Sequence, residues 1–202
     1  MKIIAVSGVA RSGKDTIANC LAEFAKMQNP SLKIMRASFA STLKQEMSEF
    51  LITNFDIDPF TADGKDKELI RPLLVAYGQA RREQSNGQYW INQLEKRVHI
   101  EEPDLVILSD LRFAESDADE LGWLKKQRNN ALVHVSRYTV NDKGKKSFVK
   151  PVNSDEKRND PKLKKGADYT ISWPDARDEK ELSKMSVGYC DEFYHKNISL
   201  FL

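Results

Sequence analysis

The sequence has few of the residues that mark metal-binding or disulfide-stabilised proteins. It contains two cysteines, Cys20 and Cys190, which are far apart and form neither a CxxC nor a Cys/His arrangement. A zinc site or a disulfide framework is therefore not expected, and both thiols are interpreted as packed or surface groups. The three histidines are also scattered and are interpreted as structural or surface residues: His99, His134 and His195.

Long apolar runs and a strong charge imbalance are missing as well. No apolar run approaches the roughly 20 residues that span a bilayer, and the first residues lack the layout of a signal peptide. The cytoplasm is therefore the expected compartment. The formal net charge of +2 is too small to indicate nucleic-acid binding by itself. At 202 residues, the chain is expected to form one globular domain, residues 1–202, with at most an inserted lid.

The stretch that organises the chain is a loop with the sequence GVARSGKDT, from Gly8 to Thr16. It lies between an apolar run at 3–6 and an amphipathic run that begins at residue 16. Glycines allow a tight turn that points several backbone N–H groups at one anion, and a helix N-terminus favours the same anion. Lys14 adds a charge that reaches nucleotide phosphates. The pattern indicates a phosphate-binding loop; the alternative is a glycine-rich turn that only caps a helix.

The loop departs from the usual pattern at the residue after the lysine. A Ser or Thr hydroxyl that binds Mg²⁺ is usual there, whereas this chain has Asp15 and then Thr16. A carboxylate is also a good ligand for a hard cation, so Asp15, Thr16 and Asp110 are the candidate metal ligands. The predicted nucleotide-binding residues of the loop are Gly8, Arg11, Ser12, Gly13, Lys14, Asp15 and Thr16.

Short β-rich runs alternate with stretches of helical periodicity. Five strands are predicted, at 3–6, 33–39, 105–109, 132–135 and 167–172. The run at 105–108 is continuously apolar, as expected of a strand buried on both faces. Apolar stripes at helical spacing occupy much of the chain between the strands and at its C-terminal end. This order predicts an α/β fold of the P-loop NTPase type, with a parallel five-stranded sheet and helices on both faces.

A second group of candidate residues follows the third predicted strand. Ligands of open parallel sheets bind beyond the carboxyl ends of the strands, and Asp110 lies there, where P-loop enzymes orient Mg²⁺. Arg112 is suited to a bidentate contact with phosphate, and Glu115 to a hydrogen bond from a base or sugar. The alternative is a helix entry capped by Asp110.

A third cluster precedes that strand. Pro72 is expected to fix a helix start next to Arg71, and Gly78 with Gln79 is expected to end the helix where a ligand can approach. Trp90 offers a flat face for a base, with core packing as the alternative.

A basic segment at 138–166 carries nine Lys or Arg against four Asp or Glu. It is interpreted either as a solvated surface or as a basic lid over polyphosphate.

Together these motifs resemble those of phage-type deoxynucleoside monophosphate kinases, over most of residues 1–175. The loop with its unusual Asp15 is close to that family's loop. The family's Arg-x-Leu-x-x-x-Gly helix is matched loosely from Arg71 to Gly78, and its Tyr-Trp pair by residues 89–90. Its Asp-x-Arg-x-x-x-Glu motif is matched, with one residue fewer, by residues 110–115. The chain has Ala10 where relatives can carry lysine.

The resemblance implies a fold like that of nucleoside monophosphate (NMP) kinases and transfer of the γ-phosphoryl group of ATP, with Mg²⁺, to a deoxynucleoside monophosphate. It implies catalytic roles for Lys14, Arg11 and Arg112, and a donor contact for Arg137. The implied acceptor-binding residues, most of them in a helical region at about 40–100, are Leu43, Lys44, Arg71, Gly78, Gln79, Trp90, Asp110, Arg112 and Glu115. Small-molecule substrates in the host-cell cytoplasm are expected, without nucleic-acid or membrane partners, and a homodimer is compatible with the resemblance.

Two other functions fit the same residues. One is another small-molecule kinase of this fold, of the phosphomevalonate or dephospho-coenzyme-A type, since phosphomevalonate kinases can also carry Gly-Lys-Asp. The other is a non-catalytic nucleotide-binding or nucleic-acid-binding module that uses the basic segment at 138–166, with steeply salt-dependent binding.

Overall fold

The computed structural model describes residues 2–175, 178–197 and 200. The chain divides into two compact units. The first consists of Met1–Ala37 and Glu101–Leu202, and the second of Ser38–Ile100. The second unit spans nearly the same residues as the helical region at about 40–100, whose acceptor-binding role, implied by the resemblance, stays a prediction. Among the described residues, no helix combines the length and apolar character required to cross a bilayer.

The first unit is built on a mostly parallel sheet, which confirms the predicted α/β fold. Its strands are β1 (Lys2–Ser7), β2 (Ile34–Ala37), β3 (Leu105–Leu111), β4 (Asn129–Val140), β5 (Lys146–Phe148) and β6 (Tyr169–Pro174). The order is β2-β3-β1-β4-β5, with β6 also paired to β4. The β4–β5 pair is antiparallel, and the other pairs are parallel. The sequence predicted five strands and missed the three-residue β5.

The helices of the first unit are α1 (Lys14–Gln28), α5 (Glu120–Lys126), α6 (Ser154–Gly166) and α7 (Glu179–Lys196). Of these, α1, α6 and α7 pack against strands of the sheet. Ile4 and Val6 of β1 share a buried cluster with residues of α1 and α7. Ile3 and Ala5 are also fully buried, and by the alternation of side chains along a strand they point to the opposite face. Both faces of the central strand are therefore covered.

The second unit contains α2 (Phe39–Phe55), α3 (Gly64–Gln84) and most of α4 (Tyr89–Glu101). Pro72 lies inside α3, and Gly78 and Gln79 do as well. The predicted helix start at Pro72 and end at Gly78 are therefore wrong. Ile70 anchors α3 in a small core with Leu51 of α2, and this packing maintains the helix through the proline despite the lost backbone donor.

The basic segment at 138–166 is more ordered than its sequence suggests. It holds the end of β4, the strand β5 and the whole of α6. The α6 helix begins after Asn153, whose side chain accepts a hydrogen bond from the backbone N–H of Glu156 at 2.8 Å. Asn followed three residues later by Glu is a helix-start signal that the sequence analysis overlooked.

Candidate active site

The predicted phosphate loop connects β1 to α1, with Gly13 at the N-cap of the helix. Gly8 and Gly13 have φ angles of 142° and 90°, which L-residues rarely adopt. A Cβ atom on Gly8 would clash with the carbonyl oxygen of Val135, and one on Gly13 would clash with the Trp173 ring. Both glycines are therefore required by backbone conformation and by space.

Trp173 of β6 packs against the phosphate loop at Gly13. Its side chain is 0 % exposed, and its indole Nε1–H donates to the carbonyl oxygen of Ser12 at 2.8 Å. Trp173 directly follows the predicted fifth strand, but no motif of the sequence indicates its contact with the loop. Such a bond fixes the loop because a buried carbonyl without a partner is costly.

Several charged side chains surround Lys14. The residue is 7 % exposed, and the pKa of its ammonium is lowered, first by burial and then by Arg112. Asp15, Glu156 and Asp110 act in the opposite direction. The structure therefore brings together Lys14, Asp15, Asp110 and Arg112, which the sequence predicted from separate motifs, and adds Glu156. Lys14 and Arg112 supply the positive charge that an anionic ligand at the loop requires, while the carboxylates of Asp15 and Asp110 are suited to a cation bound with that ligand.

Arg112 opens a loop whose backbone is held by side chains. Five consecutive N–H groups, those of residues 112–116 (the 112–116 loop), donate to side-chain oxygens at 2.6–3.1 Å. Glu120 accepts from the first two, Asn159 from the third and Asp119 from the last two. All three acceptors are buried, so the backbone position of Arg112 is set by contacts that solvent does not weaken, while its side chain is exposed.

Asp110 and Glu115, the other two residues predicted after the third strand, also belong to the first unit. Asp110 belongs to β3, where it is 4 % exposed. It does not cap a helix, because the next helix, α5, begins at Glu120. The Glu115 carboxylate lies near α6, 3.3 Å from Asn159 Nδ2 and 3.4 Å from an Arg158 guanidinium nitrogen.

Glu156 connects α6 to the phosphate loop. One carboxylate oxygen accepts from the backbone N–H of Ala10 at 3.1 Å, and the other from Val152 at 3.0 Å. The helix α6 thus contacts both loops: Glu156 binds the phosphate loop, and Asn159 binds the 112–116 loop. The Glu156 carboxylate therefore occupies the Ala10 backbone N–H, a loop group that could otherwise donate to a bound anion.

We expect Glu156→Gln to raise the affinity of the loop for ADP by about three- to ten-fold. The amide keeps an oxygen that can accept from Ala10 and loses only the bond from Val152, which is exposed to water, but it removes a negative charge that repels the phosphates. Calorimetric titration measures the effect. Asp155→Asn is the matched control, because Asp155 is in the same helical turn and pairs with Arg158. Equal affinities of both variants would show that only net charge matters.

The donor set fits Mg²⁺. Asp15 and Asp110 both act on Lys14 electrostatically, so their carboxylates lie in the same region as the loop, and Thr16 is in the first turn of α1. The described residues contain no cluster of three or more His, Cys, Asp or Glu that could hold a metal alone. Mg²⁺ usually binds through one or two carboxylates together with substrate phosphates, which agrees with this arrangement.

Arg11 and Arg137 also belong to the first unit. Arg11 is exposed in the phosphate loop with a φ of 66°. Arg137 is on β4, with its Nε atom 3.4 Å from a carboxylate oxygen of Asp175. Their assignments to ATP stay predictions.

The second unit contains the other predicted acceptor residues. Leu43 packs against Gly78, where an added Cβ would lie 2.6 Å from Leu43 Cδ1. Lys44 lies 5.7 Å from the centre of the Phe60 ring, and burial lowers the pKa of its ammonium. Trp90 is 6 % exposed, and its Nε1–H donates to the Gly78 carbonyl oxygen at 3.2 Å. These three side chains have structural partners, and their binding roles stay predictions.

Arg71 and Gln79 are exposed on α3. The side-chain amide of Gln79 donates to Glu83 at 2.8 Å. The contacts of these residues with an acceptor also stay predictions.

The second unit also holds an aromatic group that the sequence analysis missed. The hydroxyls of Tyr77 and Tyr89 donate to the two carboxylate oxygens of Glu46, at 2.7 and 2.9 Å. The Arg81 guanidinium lies 5.3 Å from the Tyr77 ring and 4.7 Å from the Tyr89 ring. A carboxylate, a guanidinium and two rings thus form one cluster (the Glu46 cluster).

Solved structures with a similar fold include TT1252 from Thermus thermophilus, with 17% identity over 95% of this chain and 97% of that chain, at a TM-score of 0.44. Another is shikimate kinase from Acinetobacter baumannii in complex with shikimate, with 16% identity over 98% of this chain and 94% of that chain, at a TM-score of 0.47. No curated protein matches the chain.

The family model for phosphomevalonate kinase matches residues 6–130. This range starts in β1 and includes the phosphate loop, the second unit and the 112–116 loop. It supports the predicted class of P-loop kinases, but not the narrower phage-type family that the motifs resemble. Because the match covers more than half of the chain, the chain belongs to the phosphomevalonate kinase family of P-loop kinases.

Proposed function

We propose that this small-molecule kinase transfers the γ-phosphoryl group of ATP to a phosphate monoester and forms a diphosphate. The charge arrangement around Lys14 carries the proposal: one buried ammonium, with Arg112 and Asp110 beside it. Phosphoryl transfer depends on positioning and on neutralisation of charge rather than on a catalytic base. Both are available at this loop.

Different residues of the first unit bind the donor phosphates, the transferring group, the acceptor phosphate and Mg²⁺. The backbone N–H groups of the loop and the N-terminus of α1 bind the β-phosphate, while Lys14 reaches the transferring group. Arg112, fixed by the 112–116 loop, is assigned to the acceptor phosphate. Mg²⁺ supplies further charge neutralisation when it is bound with the nucleotide, and Asp15, Thr16 and Asp110 are the residues that would hold it.

The acceptor we favour is a deoxynucleoside monophosphate. The Glu46 cluster supports this choice, because ring faces stack on bases and a carboxylate accepts from a base amino group. Phosphomevalonate has no ring that could stack on these side chains. The family match supports phosphomevalonate as the second candidate.

A panel of acceptors with ATP and Mg²⁺ tests both candidates. Formation of ADP is followed with the four deoxynucleoside monophosphates, their ribose forms, phosphomevalonate and dephospho-coenzyme A. We expect turnover with at least one deoxynucleotide and none with phosphomevalonate. Turnover with phosphomevalonate alone would reject the nucleotide acceptor, and nucleotide binding without any turnover would reject a kinase.

Arg112→Ala and Arg71→Ala are each expected to raise the KM for the acceptor by about ten-fold or more and to change the KM for ATP little. A guanidinium gains charge-assisted hydrogen bonds to a phosphate dianion, each worth roughly 1.5–3 kcal/mol. Arg112→Lys should restore only part of the loss, because an ammonium lacks the planar fork. Steady-state kinetics with each substrate varied in turn gives both constants. A raised KM for ATP alone would assign these arginines to the donor.

Asp15→Asn is expected to raise the Mg²⁺ concentration required for the half-maximal rate by several-fold. The amide keeps the shape of the side chain but removes the charge that attracts a hard cation. A titration of the rate against Mg²⁺ measures this. If the dependence does not change, Thr16 or Asp110 holds the ion, and Asp15 serves only the helix N-terminus.

A further inference from the structure

Glu46 ends a chain of hydrogen bonds within the second unit. The Arg81 Nε–H donates to the Tyr77 hydroxyl at 3.0 Å, and that hydroxyl donates to one Glu46 oxygen at 2.7 Å. The Tyr89 hydroxyl donates to the other oxygen at 2.9 Å. Glu46 itself is exposed. Because each of its oxygens is held by a separate hydroxyl, the plane and direction of this exposed carboxylate are fixed.

The rings that carry these hydroxyls are anchored in turn. The Trp90 ring lies edge to face with Tyr89 and Tyr77, at centroid distances of 4.9 and 6.2 Å. Trp90 is buried, and its Nε1–H donates to the Gly78 carbonyl oxygen. Burial and then the hydrogen bond to Glu46 raise the pKa of both tyrosines, so their hydroxyls stay protonated donors at neutral pH. The orientation of Glu46 is therefore set before a ligand arrives.

Glu46 has acceptor capacity left for a ligand. An ionised carboxylate offers about four lone pairs and no donor. Among the described residues, the two tyrosine hydroxyls use one lone pair on each oxygen. One lone pair on each oxygen remains, and the two are side by side. They match a ligand edge that presents two adjacent N–H donors and no acceptor.

Guanine presents such an edge, and the other three bases of DNA do not. Its N1–H and its N2 amino group are adjacent donors. Adenine and cytosine carry a ring-nitrogen acceptor beside the amino group, and thymine has one N–H between two carbonyl oxygens, so each would turn an acceptor toward Glu46. The O6 and N7 atoms of guanine are acceptors, and the Arg81 guanidinium of the same cluster supplies the positive charge that they favour.

We propose that Glu46 is a specificity-determining residue that selects guanine, so that the acceptor is deoxyguanosine monophosphate. This rests on the proposed function, which places the base of the acceptor at the Glu46 cluster. Glu46 accepts from N1–H and from the N2 amino group, while Tyr77 and Tyr89 hold the carboxylate in place. Loss of one charge-assisted hydrogen bond of this kind costs about ten-fold or more in affinity.

The first test compares monophosphates that differ at this edge of the base. Calorimetric titration of the full-length protein without ATP gives the affinity for each. Deoxyguanosine monophosphate is expected to bind about ten-fold or more tightly than the adenine, cytosine and thymine forms. The same margin is expected over deoxyinosine monophosphate, which lacks only the N2 amino group. Equal affinity for the guanine and hypoxanthine forms would overturn the proposal, and so would a preference for another base.

Glu46→Gln tests the residue itself. The amide presents one acceptor and one donor, which matches xanthine, because a carbonyl oxygen replaces the N2 amino group of guanine there. The variant is expected to bind deoxyguanosine monophosphate about ten-fold more weakly than the wild type and deoxyxanthosine monophosphate more tightly. Glu49→Gln is the matched control, since Glu49 is an exposed carboxylate one turn further along α2, and it should leave both affinities unchanged. A guanine preference that persists in Glu46→Gln would reject the role of Glu46.

These binding measurements separate the base selectivity from the proposed function. Guanine-selective binding without formation of ADP would support the selectivity and reject the kinase. Formation of ADP without guanine selectivity would reject the selectivity and leave the kinase in place. The comparison of the guanine and hypoxanthine forms on the wild type decides the selectivity even if a Glu46 variant folds poorly.

Discussion

Replacement of Lys14 by alanine is expected to lower the turnover number at least about a hundred-fold. Removal of one preorganised charge at a reacting centre typically costs on the order of 10²–10³ in rate. The fold is expected to survive, because burial lowers the pKa of this ammonium. A lysine whose pKa is lowered on folding destabilises the folded state while it is protonated, so its loss releases that penalty.

Steady-state kinetics and thermal unfolding check this result together. The matched control is Lys184→Ala, since Lys184 is an exposed lysine of α7 and should leave both turnover and melting temperature unchanged. Turnover of Lys14→Ala within a few-fold of the wild type would show that the loop does not act on the transferring phosphate.

The lowered pKa of Lys14 also sets the sign of a pH effect. The ammonium loses its proton at a lower pH than an ordinary lysine, so the affinity for ADP should begin to fall at a lower pH than 10.5, the ordinary lysine value. Bound phosphate favours the charged form and therefore raises the pKa again, so binding in this pH range is accompanied by proton uptake. Calorimetry in buffers of different ionisation enthalpy measures that uptake.

Trp173→Ala is expected to lower the free energy of unfolding by about 3–5 kcal/mol, as is usual when a buried Trp is truncated, and to abolish tight nucleotide binding. The indole fills the space below Gly13 and donates to the Ser12 carbonyl oxygen. Trp173→Phe keeps most of the ring and should cost less, about 1–3 kcal/mol from the unsatisfied carbonyl. Urea unfolding gives these values.

The control for the loop is Trp123→Phe. Trp123 is also buried, but on α5, so its variant is expected to lose stability without a change in ADP affinity. Trp173→Phe, in contrast, should lose both stability and ADP affinity. If the two variants bind ADP equally well, Trp173 serves the core and not the shape of the phosphate loop.

The features that sequence predicted well are encoded locally. Gly8, Gly13 and Lys14 lie within one short stretch, and the apolar run before Asp110 marks a buried strand. These features place the phosphate loop and the end of β3 on neighbouring parallel strands. Two motifs about a hundred residues apart could therefore be assigned to one site through the topology of the sheet alone.

The features that sequence missed depend on long-range contacts. Trp173, Glu156 and Asn159 reach the two loops from the C-terminal third of the chain, and nothing in their own neighbourhood indicates which backbone group they meet. The wrong helix start predicted at Pro72 has another cause. Proline disfavours the interior of a helix, but the packing of α3 maintains the helix through this residue.

The position of β1 at the centre of the sheet has a consequence for how the chain acquires its structure during synthesis. The strand β1 is made before both of its neighbours in the sheet, β3 and β4, which lie in the second half of the sequence. Its apolar residues must therefore stay unpaired while the ribosome adds the second unit, and the loop gains its Trp173 support later still. Pairings of such high sequence separation are slow to form and expose apolar surface in the meantime. The second unit is one contiguous stretch of chain, 38–100, so its contacts, such as that between Glu46 and Tyr89, can form before β3 and β4 are made. It is the part that can fold first, and nascent chains should therefore carry a structured helical segment ahead of a nucleotide-binding one.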